Sequence, residues 1–163
     1  MTIESGTKAH CGAPQHGAPR LVFPFMAPVY CLGSCIAWPL VRFFAGINLV
    51  PHGYTKLFGG GMEQTIAHFA AGGLHPAPFL AYLVACTEFF GGLMIAFGLL
   101  TRFAAAAATI FLAVAIIHVH FANGFFAMGG GYEYPLLWGV VTFAIFLKGG
   151  GPFSIDARIG KEL

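Results

Sequence analysis

Charge is what this chain has least of. Only 9% of its 163 residues are Asp, Glu, Lys or Arg, whereas 58% are hydrophobic, and the mean hydropathy is +0.79. That leaves too little polar matter to cover the surface of a water-soluble domain, so the composition predicts an integral membrane protein with the lipid bilayer as its first partner. A net charge of +2, dispersed rather than gathered into a stripe, gives no support for a nucleic-acid partner. Catalytic signatures are missing as well. There is no C-x-x-C, G-x-S-x-G, H-E-x-x-H, P-loop or dinucleotide fingerprint, which removes the basis for hydrolase, metalloprotease and nucleotide-enzyme readings. The four cysteines are Cys11, Cys31, Cys35 and Cys86. Without a C-x-x-C pair, they read as small packing residues.

Residues 1–34 carry Gly, Pro, His and Ser among single charges with no apolar period, and read as a flexible tail without a secretory signal. Residues 35–163 form the membrane domain. Within it, four apolar segments approach the length of about 20 residues that crosses a hydrocarbon core. They run from about Ile36 to Phe58, Pro78 to Leu99, Arg102 to Phe121 and Tyr132 to Leu147. Met62 to Ala71 fits a short interfacial helix between the first two. Ala104 to Ala108 suit close helix contact. Ser154 is placed to cap a short helix starting near Ile155, with Asp156 complementing that helix's dipole. The expected fold class is therefore an all-α, four-helix transmembrane bundle.

Lys and Arg set its orientation. Lys8, Arg20, Arg102, Lys148, Arg158 and Lys161 fall on one side of four spans, against Lys56 on the other. Both termini are expected to be cytoplasmic, with the protein multi-pass in a bacterial-type inner membrane.

The few intramembrane polar residues are the candidate site. On a helix, Arg42, Leu49, Gly53 and Lys56 share one face, with His52 close beside them. Counting about 1.5 Å per residue, Arg42 lies roughly 8 Å to the cytoplasmic side of the midplane, and His52 and Lys56 roughly 7 and 13 Å to the outer side. Glu88 falls near the middle of the second span, where an ionised carboxylate needs a cation, several donors or water. Arg42 is the expected partner, because a guanidinium stays charged and can bind a carboxylate with two donors. The bland alternative is that these charges only fix helix register. His118 lies at a depth similar to His52. A helical i, i+2 pair such as His118 and His120 points in opposed directions, so no metal site is expected.

Taken together, the stretch from Arg42 to Lys56 followed by Gly59 and Gly60, EFFGGLMIAFGLLTR from Glu88, HVHFANGFF, and the terminal GGGPFSIDARIG resemble the DoxX family of small membrane proteins. Arg42, His52, Gly53, Lys56, Glu88, Gly92, Arg102 and Asp156 match the family pattern, while the Cys- and His-containing tail lies outside it. The resemblance implies four membrane helices. It also implies a function in the range of that family, some of whose members are subunits of a thiosulfate:quinone oxidoreductase and others parts of membrane redox or detoxification complexes. The expectation is thus a subunit of a quinone-linked redox complex with a protein partner or a second copy. Its cofactor would be a quinone bound near Arg42, His52, Lys56, Glu88 and His118, with no catalytic residue assigned. The alternatives are a noncatalytic membrane scaffold, and a small transporter or proton pathway built on Glu88.

Overall fold

The computed structural model describes residues 21–161, which are helical apart from their turns, with no strand among them. The first long helix, α1, spans Ala27–Leu57 and opens with Pro28 in its first turn, a position where the missing N–H costs nothing. It therefore begins inside the segment expected to be tail. The stretch from Val29 to Trp38 has no proline and enough apolar side chains to continue the span. The rest of that tail, residues 1–20, lies outside the described residues. At about 1.5 Å per residue, α1 is about 46 Å long against a hydrocarbon core of about 30 Å, so it tilts or projects from the membrane. Pro39 and Pro51 sit inside it.

Helix α2 is Met62–Ala71, with the bounds read from sequence. Helix α3, Ala77–Phe97, is continuous but carries a π turn at Thr87–Gly91. It ends at Gly98, whose φ of 73° is left-handed. Helix α4 is Thr101–Asn123, with a second π turn at Ile116–His120. Helix α5 is Glu133–Lys148 and α6 is Ile155–Ile159. Among the described residues, three helices are long and apolar enough to cross a membrane, namely α1 with its leading turn, α3 and α4. Helix α5, at 16 residues, is shorter.

Glycine and alanine bring these helices together, as they must where lipid supplies no hydrophobic drive between helices. A Cβ on Gly46 would lie 2.3 Å from the Gly92 carbonyl oxygen, and one on Gly53 would lie 2.4 Å from Phe89 N. Helices α1 and α3 are thus packed backbone to backbone at two points two turns apart. On α4, Ala104, Ala105 and Ala108 are buried. Thr109 donates to Thr142 of α5 at 3.0 Å, tying those two helices together. Large side chains such as Phe44, Phe90 and Phe103 are on the outside, where lipid would cover them.

The segment after α5 folds back under the bundle. Trp38 Nε1 donates to the Gly149 carbonyl at 3.0 Å, with Lys148 Nζ 4.3 Å from the Trp38 ring centroid. Arg102 donates to the carbonyls of Phe146 and Leu147, closing the end of α5. Ser154 caps α6 by accepting from Ala157 N at 3.0 Å, as its position predicts. Asp156 does more than complement a dipole. Its carboxylate accepts from Leu100 N at 2.8 Å, Thr101 N at 2.9 Å and Thr101 Oγ1 at 2.6 Å, so it caps the start of α4. This tie also holds Leu100 at a φ of 44°, a conformation costly for a residue with a side chain.

A candidate ligand site around the Lys56 and Glu88 pair

The glycine contacts decide which charges meet. Because Gly53 lets α1 lie against Phe89, Lys56 one turn further along reaches Glu88, and Lys56 Nζ lies 2.5 Å from Glu88 Oε2. Glu88 is 6% exposed and belongs to the π turn of α3. A turn of this kind inserts a residue into the helix and re-aims the side chains around it, and such turns are frequent at functional sites.

Arg42 is not the partner of Glu88, contrary to the expectation from charge and depth. It is 3% exposed and donates to the carbonyls of Gly150 at 2.5 Å and Phe153 at 3.0 Å. The reason lies in the chain after α5. Residues 149–153 fold back and bring carbonyl oxygens to the guanidinium, whose fork of donors takes two at once. Arg42 and Lys56 are 14 residues apart on one helix, about 21 Å, so they serve opposite ends of the bundle.

Beside the ion pair lies a cavity of about 1050 Å³, walled by all of α1 to α5. Its apolar lining includes Leu80, Leu83, Val84, Ile110 and Phe111, and its polar lining includes Asn48, His52, Lys56, Glu88 and His118. Four of the five sequence-predicted site residues, His52, Lys56, Glu88 and His118, therefore share this wall, and Arg42 does not. His68 of the interfacial helix and His120 line it too. The His120 Nδ1 lies 2.7 Å from the Gly130 carbonyl, which makes Nδ1 the protonated nitrogen. Helix α2 forms part of the wall through Gln64, Thr65, His68 and Phe69.

Three wall residues escaped the sequence reading. Tyr134 Oη donates to Asn48 Oδ1 at 2.8 Å. The Tyr134 ring lies 6.2 Å from that of Trp138, edge to face, and 6.5 Å from that of His52. Asn48 Nδ2 and Trp138 Nε1 are buried donors with no hydrogen-bond partner. Asn48 had a signal that could have been used, since Asn48, His52 and Lys56 follow one another at i, i+4 and i+8. Tyr134 and Trp138 look in sequence like ordinary interfacial aromatics. Cys31 and Cys86 are free, whereas Cys35 is disulfide-bonded rather than a simple packing residue.

Chemically, the site is an apolar slot between membrane helices with a charge pair at one side and histidine side chains elsewhere in its wall. A chain built this way is a helical membrane protein with a ligand-sized space inside its helix bundle. It belongs to the DoxX family, whose model, described as DoxX, matches residues 37–121, just over half of the chain. Among curated proteins, it is 33% identical over 122 residues to a Bacillus subtilis protein named "Putative oxidoreductase CatD", covering 75% of this chain and 86% of that one. It is 29% identical over 133 residues to an uncharacterized protein of Haemophilus influenzae, covering 80% of this chain and 87% of that one. No solved structure matches the chain.

Proposed function

We propose that this chain is the membrane subunit of a quinone-linked redox complex, spanning a cell inner membrane four times with both termini in the cytoplasm. The observation that carries the reading is the cavity beside Lys56 and Glu88, because it joins a lipophilic space open to helix surfaces with a charge pair able to hold a proton. The residues present fit a quinone. Leu80, Leu83, Val84, Ile110 and Phe111 offer apolar contact for the ring and tail, and His52 and His118 in the same wall carry ring nitrogens able to donate to a quinone oxygen. When bound, such a group supplies two-electron, two-proton redox chemistry.

The chain's own part is to bind, to orient and to hold protons. Lys56 Nζ and Glu88 Oε2, in hydrogen-bond contact, can hold one proton between them. His52 and His118 in the same wall can pass protons toward the pair. In this reading electrons are exchanged with a redox protein partner. The name of the Bacillus subtilis relative supports an oxidoreductase role. The test is purification in mild detergent followed by extraction and mass analysis. The reading expects quinone retained with the protein, together with a redox partner chain. A preparation that keeps its phospholipid but retains no quinone contradicts it.

A further inference from the structure

Resting on the quinone reading, we infer that the ligand is a long-tailed quinone taken up sideways from the bilayer, its ring at the Lys56 and Glu88 pair and its tail in a gap between α3 and α4. The first observation is where the helices pack. Helix α4 lies against α3 at the π turn, Thr87–Gly91, and along Gly92–Phe97, whereas Ala77–Cys86 packs on α1 and α2 and has no comparable packing on α4. The two helices therefore part on the side of Glu88 away from the Arg42 tie. Leu83 and Ile110, on either side of this gap, lie well inside helices long and apolar enough to cross a membrane, so the gap faces hydrocarbon.

The second observation is that the neighbouring seams are closed. Gly46 and Gly53 put α1 backbone to backbone with α3, Thr109 joins α4 to α5, and Tyr134 of α5 donates to Asn48 of α1. Two sides of the cavity remain among the described residues. One lies between α2 and the loop of residues 124–132, and is lined by Gln64, His68, His120 and Gly130. It is polar. The other is the gap between α3 and α4, where Leu83, Ile110 and Val114 line the cavity and are 51%, 66% and 39% exposed, so the facing side chains do not cover one another.

The chemistry of the ligand follows from this division. Charge is gathered on the α1 side, where Lys56 meets Glu88 and His52 lines the same wall, while Leu80, Leu83, Val84, Ile110 and Val114 line the side toward the gap. A molecule that matches both sides has a polar ring and a long apolar tail. With its tail in the gap, every methylene stays in hydrocarbon, whereas a tail led out between α2 and the 124–132 loop would exchange hydrocarbon for water. The gap thus selects for tail length, and the wall near Lys56 for the ring.

Calorimetric titration of the full chain in detergent tests this with two probes, decylubiquinone and its tailless parent, the same ring without the decyl chain. Each variant is compared with the wild type for each probe. Leu83→Trp and Ile110→Trp narrow the gap from its two sides, and each should weaken decylubiquinone binding about tenfold while changing that of the tailless quinone by less than about twofold. Phe103→Trp, on the outer face of α4, should change neither. Both gap positions are half or more exposed, so the larger ring fits without repacking the core, and two helices keep the test open should one variant misfold. Equal weakening of both quinones would place the ring, not the tail, in the gap and overturn the inference. Weakening of decylubiquinone by Gln64→Trp but by neither gap variant would also overturn it, since the tail would then leave beside α2, and the quinone reading would stand. Binding of neither quinone by the wild type overturns both.

Discussion

Lys56 of α1 and Glu88 of α3 form an ion pair at 2.5 Å inside the bundle, and the glycine at position 53 is what allows it. Arg42, the stronger ion-pairing side chain on the same helix, is held some 14 residues away by the carbonyls of Gly150 and Phe153. The two cations divide the work. One secures the end of the bundle where the chain turns back, and the other is left with the cavity.

That division predicts a specific coupling pattern. Lys56→Gln strands a carboxylate that is nearly closed to solvent, at a cost of about 3 kcal/mol, the low end for a broken buried pair because Lys56 keeps partial exposure. Lys56→Gln with Glu88→Gln should recover part of the loss in denaturation measured in detergent. Arg42→Gln and Glu88→Gln should be additive. A strong coupling between Arg42 and Glu88 would mean that the charges pair the other way.

Gly46→Ala and Gly53→Ala should each destabilise the protein by about 2–3 kcal/mol, because the new methyl meets backbone that cannot step aside. Gly53→Ala should also uncouple Lys56 from Glu88 in the same mutant cycle. Gly33→Ala, with nothing within 4 Å of the new carbon, should be neutral or stabilising by up to about 1 kcal/mol. Equal effects at Gly33 and Gly53 would contradict the close packing of α1 on α3.

Asp156→Ala removes three hydrogen bonds, two of them to backbone N–H groups at the start of α4. A loss of about 2–3 kcal/mol is expected, with membrane insertion retained. Thr101→Val should cost about 1 kcal/mol, since it removes one bond of the three. Thermal unfolding in detergent would check both, and an unchanged midpoint for Asp156→Ala would mean that α6 is not needed to hold α4.

The orientation of the chain has its own test. A reporter active only in the cytoplasm, fused after Leu163, should be active, because Lys and Arg weight that side about six to one. Activity from a periplasmic reporter at the same place would invert the assignment of inner and outer ends.

Much of this arrangement was legible in the sequence, and the places where it was not have physical causes. Met62–Ala71 and the Ser154 cap were readable because Gly and Pro breaks and a capping side chain are local signals. Glu88 was readable as a residue needing a partner, since a carboxylate in an apolar run has few ways to persist. Which cation it takes was not, because side-chain chemistry favoured Arg42 while the outcome depended on a return of the chain more than 100 residues later. The π turn at Thr87–Gly91 was equally hidden. It shifts the register of α3 without any residue type that marks it. Asn48 was missed for a simpler reason, since a lone amide in a phenylalanine-rich helix gains meaning only when Tyr134 and Trp138 are seen beside it.

The central claim is that the cavity beside Lys56 and Glu88 holds a quinone. Photoaffinity labelling with an azidoquinone, followed by mass spectrometric mapping, addresses it most directly. The account predicts labels on cavity-lining segments, namely residues 48–56 of α1, 80–88 of α3 and 110–118 of α4, all displaced by excess decylubiquinone. Labelling confined to lipid-facing positions such as Phe103 or Phe90, or labelling that decylubiquinone does not displace, would contradict it.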